Sequence, residues 1–447
     1  MSFNNSINEY HSSYVVKKKI LLIGLFFICM VMVHLAFNVL EPLNRFGWLF
    51  SCLIWLAGVF IVRKSTPVII VYVFFITYIT VPYYYFFLGK QISVYGSFQS
   101  VLYINEVAFL NSLFLSFLSL CLVGVVDKNI ISPQRYFNAN LSVFILFLLP
   151  CIYSILFGTQ GESLLESNYG SRAVEKSALH EYFLLFFFFL LISHNPRSYF
   201  QKTIVFCLLI IYSVKTILYG GRVEVIQSIL LYIYLTQDYL KNINKIKILF
   251  YGFAAFFVFS LIGFVRGSLV ELLSSQNIDL LTLMKSHFFS ENTDAYVVST
   301  SADIFYASMR ILGMIDNGII NLEDRIVGFF LYLFNSFVFS DDLKLVVNLS
   351  TLLASSYPVG GGGLIHTYFY AWLGYFGVIF SAVFIGLILR RFHCKSNRFV
   401  QIYGFFILIT FPRWWGYSPI NFTKMIFFAF IIFLSIDILF NSRKKHL

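Results

Sequence analysis

The segment Leu218-Tyr219-Gly220-Gly221-Arg222-Val223-Glu224 sets a glycine pair and a charged pair between two apolar runs, with almost no loop. A guanidinium held that close to apolar chain needs a counter-charge or an anionic ligand. Its planar fork takes two oxygens of a phosphate or carboxylate at once, so an Arg222 that grips phosphate should not be replaceable even by lysine. Glu224 is the alternative partner, although residues two apart on a helix point to different faces. Arg172, Arg266, Arg310, Arg325 and Arg413 also fall at the ends of apolar runs or in the connections between them. Singly, such residues snorkel to lipid headgroups. Together they suit phosphate: Arg222 and Arg310 are candidates for the reacting centre, and Arg172, Arg266 and Arg413 for substrate binding.

A second group surrounds Tyr357-Pro358-Val359-Gly360-Gly361-Gly362-Gly363. Backbone N–H groups at Gly361 and Gly362 can turn inward as an anion nest, the alternative being plain flexibility. His366 follows at the start of an apolar run and is a candidate general base or donor to a pyrophosphate, with a structural histidine as the alternative. Tyr370 is a candidate sugar platform. Aromatic residues make up 20% of the chain, and most of them read as an interfacial belt, including Arg413-Trp414-Trp415-Gly416-Tyr417. There is no Walker loop, GxSxG elbow, HExxH or Asp-x-Asp pair, so neither a metal nor a cofactor is expected.

The elements that must position these residues are apolar helices. With 59% hydrophobic and only 12% charged residues, the chain is far from the soluble balance. Apolar runs long enough to cross a ~30 Å hydrocarbon core recur from Ile20 to Phe440 without the alternation of a barrel strand. The expected fold is all-α, a polytopic transmembrane bundle of about 12 spans, within a range of about 11 to 14. The spans are 20–40, 46–62, 68–88, 106–126, 141–158, 181–193, 203–219, 223–237, 248–265, 364–389, 399–412 and 420–440. Alternate connections carry Lys17 to Lys19, Arg63 and Lys64, Lys128 and Arg135, Arg197 and Lys202, Lys241 to Lys247, Arg390 to Arg398, and Arg443 to Lys445. By the positive-inside rule that side is cytoplasmic. The net charge of +11 is thus a topology signal and does not point to nucleic acid. The organisation follows: a cytoplasmic tail (1–19), nine helices (20–265), a large external loop (266–363), three helices (364–440) and a cytoplasmic tail (441–447). Within the loop, Asp303 to Ile315 and Ile326 to Phe339 are apolar enough for interfacial or re-entrant helices.

The Gly220-Gly221-Arg222 junction, the long external loop and the segment from Gly363 through His366 and Tyr370 to Gly374-Tyr375-Phe376-Gly377 resemble the Wzy-type O-antigen polymerases. The likeness covers the whole chain in layout, and in residues it rests on the junction and the aromatic-glycine run. Some members carry an arginine followed by ten residues and a glycine; here Phe183 and Asn321 stand at the glycine positions after Arg172 and Arg310. The resemblance implies a bacterial inner-membrane enzyme, acting at the periplasmic face on undecaprenyl-diphosphate-linked oligosaccharide repeat units without metal or nucleotide. Its implied partners are membrane lipid, a chain-length regulator and a flippase. An O-antigen ligase and a lipid-linked oligosaccharide flippase are the alternatives.

Overall fold

The structure is a computed structural model that describes residues 44–75, 103–126, 141–161, 174–195, 197–236, 300–334, 362–393 and 398–436, with a few isolated positions. These residues are almost wholly helical: α1 Asn44–Val62, α2 Thr66–Phe75, α3 Ile104–Cys121, α4 Leu141–Phe157, α5 Ala178–Ser193, α6 Tyr199–Leu218, α7 Arg222–Thr236, α8 Thr300–Asp316, α9 Leu322–Leu333, α10 Ile365–Phe392, α11 Arg398–Gly416 and α12 Ile420–Ile436. A short antiparallel hairpin, β1 Thr159–Gly161 and β2 Val174–Lys176, joins α4 to α5. Among the described residues, three helices, α3, α6 and α10, are long and apolar enough to cross a membrane. The expected spans 20–40 and 248–265 lie essentially outside the described residues, as does the 76–88 part of the expected span 68–88. The fourth expected span ends earlier than foreseen, at Cys121, where a turn runs through Gly124 at φ 84°. The helix expected over Asp303 to Ile315 is α8; that expected over Ile326 to Phe339 overlaps α9, which begins at Leu322, while 335–339 lie outside the described residues.

Two compact units divide these elements. The first contains α1 to α3 and α8 to α10. Here α3 packs on α1 and α10, and missing side chains let the helices approach. A Cβ on Gly58 would stand 2.5 Å from the Tyr72 ring, and one on Gly386 would stand 2.5 Å from the Cys121 Cβ. Small residues and hydroxyl pairs are the natural glue between apolar helices, whose side chains gain little by leaving lipid. The hydroxyl pairs here are Ser51 with Ser112 at 2.6 Å and Tyr72 with Ser119 at 2.7 Å. Ser65, in the α1–α2 turn, bonds His393 Nε2 at the end of α10 at 2.8 Å.

The tenth expected span is not one rod. Gly374 interrupts α10 at φ 63°, ψ −152°, a region that only glycine occupies without strain. Arg325 of α9 completes the break: its Nε donates to the Ala371 carbonyl at 2.6 Å and its Nη2 to that of Tyr370 at 3.1 Å. An interrupted helix leaves carbonyls without their usual N–H donors, and a cation at a helix C-terminus supplies them while meeting the negative end of the dipole. Gly377 is part of the same device, since a Cβ there would run into the Phe369 carbonyl. The remaining 375–392 stretch, at ~1.5 Å per residue, still covers about 27 Å.

The second unit holds α4 to α7, the hairpin, α12, and α11 up to Trp415. The α5 helix packs against α4 and α7, and α6 against α7. Lys215 of α6 reaches the last turn of α4, donating to the Ile155 and Leu156 carbonyls at 2.6 and 3.0 Å. Phe183 stacks on Tyr212. Trp414 and Trp415 are not belt residues: both are fully buried, and the Trp414 indole donates to the Ile407 carbonyl at 2.9 Å.

Apolar side chains left exposed form stripes with helical spacing. On α4 they are Leu141, Ile145, Leu149, Ile152 and Leu156; on the second half of α10 they are Phe376, Phe380, Phe384 and Leu387. The short α9 is two-faced, with Leu322, Ile326, Phe330 and Leu333 exposed, while Tyr332 stacks on Trp372 and Arg325 grips the α10 break.

Candidate functional site

The Gly220-Gly221-Arg222 junction is a tight turn between α6 and α7, and each glycine has its own reason to be there. Gly220 takes φ 82°, the left-handed conformation that ends α6. Gly221 is needed for space: a Cβ would stand 2.6 Å from the Thr216 methyl and 2.9 Å from Glu224 Oε2. Arg222 is the first residue of α7 and is half-buried. Glu224 follows in the same turn with only 7% of its surface exposed.

Arg413 Nη2 donates to Glu224 Oε1 at 2.9 Å and contacts Glu181 Oε1 at 3.4 Å. Glu224, weighed as a partner for Arg222, thus forms an ion pair with an arginine 189 residues away. The three charged groups come from the first turn of α5, the first turn of α7 and the end of α11. They line a cleft with Leu184, Tyr212, Gln227, Thr410 and Met425. Tyr212 is oriented by its hydroxyl, which donates to the His180 carbonyl at 3.4 Å. Glu181, at 42% side-chain exposure, is open to solvent, while Arg413 at 22% and Glu224 at 8% are sheltered. One guanidinium thus meets two carboxylates here.

The other predicted residues fall elsewhere. Arg310, in the first unit, donates from Nε to the Tyr306 hydroxyl at 2.9 Å and lies over the same ring. His366 is fully buried, its ring beside Phe114. A base must meet the hydroxyl it deprotonates, and in this conformation His366 is covered. Tyr370 packs edge-on against Tyr375, and its carbonyl accepts from Arg325. Gly362 is buried, and Gly363 beside it is a packing contact: a Cβ would stand 2.7 Å from Ile311 Cδ1, and the next residue, Leu364, donates its N–H to Ser308 Oγ at 2.8 Å. Arg172, Arg266 and Gly361 lie outside the described residues. Among the described residues, no group of three or more His, Cys, Asp or Glu is arranged to hold a metal ion.

The residues that sequence reasoning passed over are Glu181 and Gln227, and it named Glu224 only as a partner for Arg222. A signal was available. Glu181 is the one charge in an otherwise apolar α5, and Glu224 and Gln227 are three apart on one face of α7. Comparison with family models, curated proteins and solved structures finds no match to this chain.

Proposed function

We propose that the chain is a multi-pass enzyme of the bacterial inner membrane, with both termini cytoplasmic, that joins undecaprenyl-diphosphate-linked oligosaccharide repeat units at the periplasmic face. One observation carries the reading. Charge sorting of the loops assigns the start of α5, the start of α7 and the end of α11 to the external side, and the charged residues of these ends meet within 2.9 and 3.4 Å. The Ser65–His393 bond likewise joins two ends that the same sorting puts on the cytoplasmic side. The exposed apolar stripes on α4 and α10 suit contact with acyl chains, and the two-faced α9 suits the interface, in keeping with about 12 spans.

In this reading the growing chain is the donor and a single repeat unit the acceptor. An acceptor hydroxyl attacks the donor's anomeric carbon, the bond to the diphosphate breaks, and undecaprenyl diphosphate leaves with the electron pair. Arg222 neutralises the charge that develops on the diphosphate, a task for which a preorganised guanidinium in a water-poor site serves as a metal would. The test is the glycan ladder of a strain lacking the gene. Single repeat units capping the lipid A core are the expected outcome. Free undecaprenyl-linked polymer would instead mark a ligase, and repeat units trapped in the cytoplasmic leaflet would mark a flippase.

A further inference from the structure

We infer that the face of the first unit where α3, α8 and the break in α10 meet is a glycan-binding surface, with Tyr370 and Tyr375 as its platform and Glu106 and Asp316 as its hydrogen-bonding groups. The identity of the glycan rests on the glycosyl-transfer reading above. Tyr103, Glu106 and Phe109 are spaced by three across the start of α3, so Glu106 stands between the other two on one side of the helix. Packing fixes both ends of that side. A Cβ on Gly313 of α8 would stand 3.3 Å from the Tyr103 ring, and the Phe109 and Tyr375 rings meet edge-on with centroids 5.9 Å apart. Glu106 therefore lies between α8 and the α10 break. Asp316, at the end of α8, accepts a hydrogen bond from the Tyr103 hydroxyl.

The interruption of α10 is what makes the platform. On an unbroken helix Tyr370 and Tyr375 would point about 140° apart. The turn at Gly374, held by Arg325, instead brings their rings to 5.1 Å, with their hydroxyls sharing a hydrogen bond. The face is open: Glu106 and Asp316 are exposed, Tyr375 is 51% exposed, and Tyr103 and Tyr370 are half-buried, so a ligand lies across it and needs no enclosed cavity. A phosphate brought here meets Glu106 and Asp316, which already oppose each other, while Arg325 gives its Nε and Nη2 to the α10 carbonyls. Two carboxylates also fall short of the roughly six to eight oxygens a calcium ion takes. A neutral, hydroxyl-rich ligand suits the set. Carboxylate oxygens accept from its hydroxyls, tyrosine hydroxyls donate or accept, and the rings cover its C–H faces, the blend of apolar area and few placed polar groups that ligand sites use.

The experiment titrates the purified full-length chain with the free oligosaccharide that mild acid releases from lipid-linked repeat units, a probe with neither lipid nor phosphate. Calorimetry should show binding to the parent protein. Glu106→Gln and Tyr375→Ala should each weaken it about tenfold, the first with an unchanged melting temperature. Should Tyr375→Ala fail to accumulate, Glu106→Gln decides alone, because that side chain is exposed and the substitution keeps its shape. Absence of binding to the parent overturns the inference, as does equal binding by parent and variants. A rise in melting temperature with calcium alone that Glu106→Gln abolishes also overturns it, since it marks a cation site. Elongation assays on the same preparations keep the two readings apart. A parent protein that binds the free oligosaccharide but does not elongate lipid-linked units refutes the polymerase reading alone, whereas elongation by the parent with unaltered oligosaccharide binding in the variants refutes the surface alone.

Discussion

Arg325 and Arg413 have the same kind of position in the sequence, near the ends of apolar helices, yet their partners differ in kind. Arg325 binds two neutral carbonyls of a broken helix, and Arg413 binds two carboxylates in a cleft. A cation that completes a backbone is spent on the fold. A cation that balances two acids, one buried and one open to solvent, arranges groups a ligand can use. An arginine's location thus says that it must have a partner, and the partner says what it is for.

The sharpest way to break the comparison on the Arg325 side is to disturb the helix interruption that the arginine serves. Gly377→Ala drives a methyl into the Phe369 carbonyl, backbone that cannot swing aside, so the variant should lose about 3 kcal/mol or more and disappear from membranes. Gly374→Ala imposes a side chain on a left-handed residue and should lose about 1–3 kcal/mol. Thermal melts of detergent-solubilised protein measure both. Wild-type melting of either variant would mean that the chain does not fold back at Gly374.

Most helix positions were legible beforehand, because long apolar runs between charged loops leave few choices. The expected 141–158, 203–219 and 223–237 differ by only a few residues from α4, α6 and α7, and the loop helix around Asp303 to Ile315 is α8. The break in α10 was not legible, since Gly374-Tyr375-Phe376-Gly377 lies inside an unbroken apolar run where glycine is common in membrane helices. The cleft was half legible. Periodicity brings Glu224 and Gln227 to one face, but no local rule joins them to Arg413, 189 residues on, or Arg413 to Glu181, 232 residues away.

On the Arg413 side a subtler change should separate activity from stability. In Gly221→Ala the new methyl meets the stiff, buried Thr216 methyl and the end of the longer Glu224 side chain, so the fold should yield chiefly by shifting Glu224. The melting temperature should fall little, while elongation drops about tenfold, a loss of ~1.4 kcal/mol of transition-state stabilisation, because the Glu224 carboxylate is displaced from Arg413. Unchanged elongation would show that the geometry of that ion pair does not matter to the reaction.

The most direct test of the account replaces each arginine with lysine, which keeps the charge and removes the fork. Polymer ladder length is read beside membrane protein level for Arg222→Lys, Arg413→Lys and Arg325→Lys. The account predicts normal abundance with a ladder collapsed to single repeat units for the first two. For Arg325→Lys it predicts reduced abundance, with ladder length in proportion to the protein that remains. A full-length ladder from both Arg222→Lys and Arg413→Lys at normal abundance would contradict it.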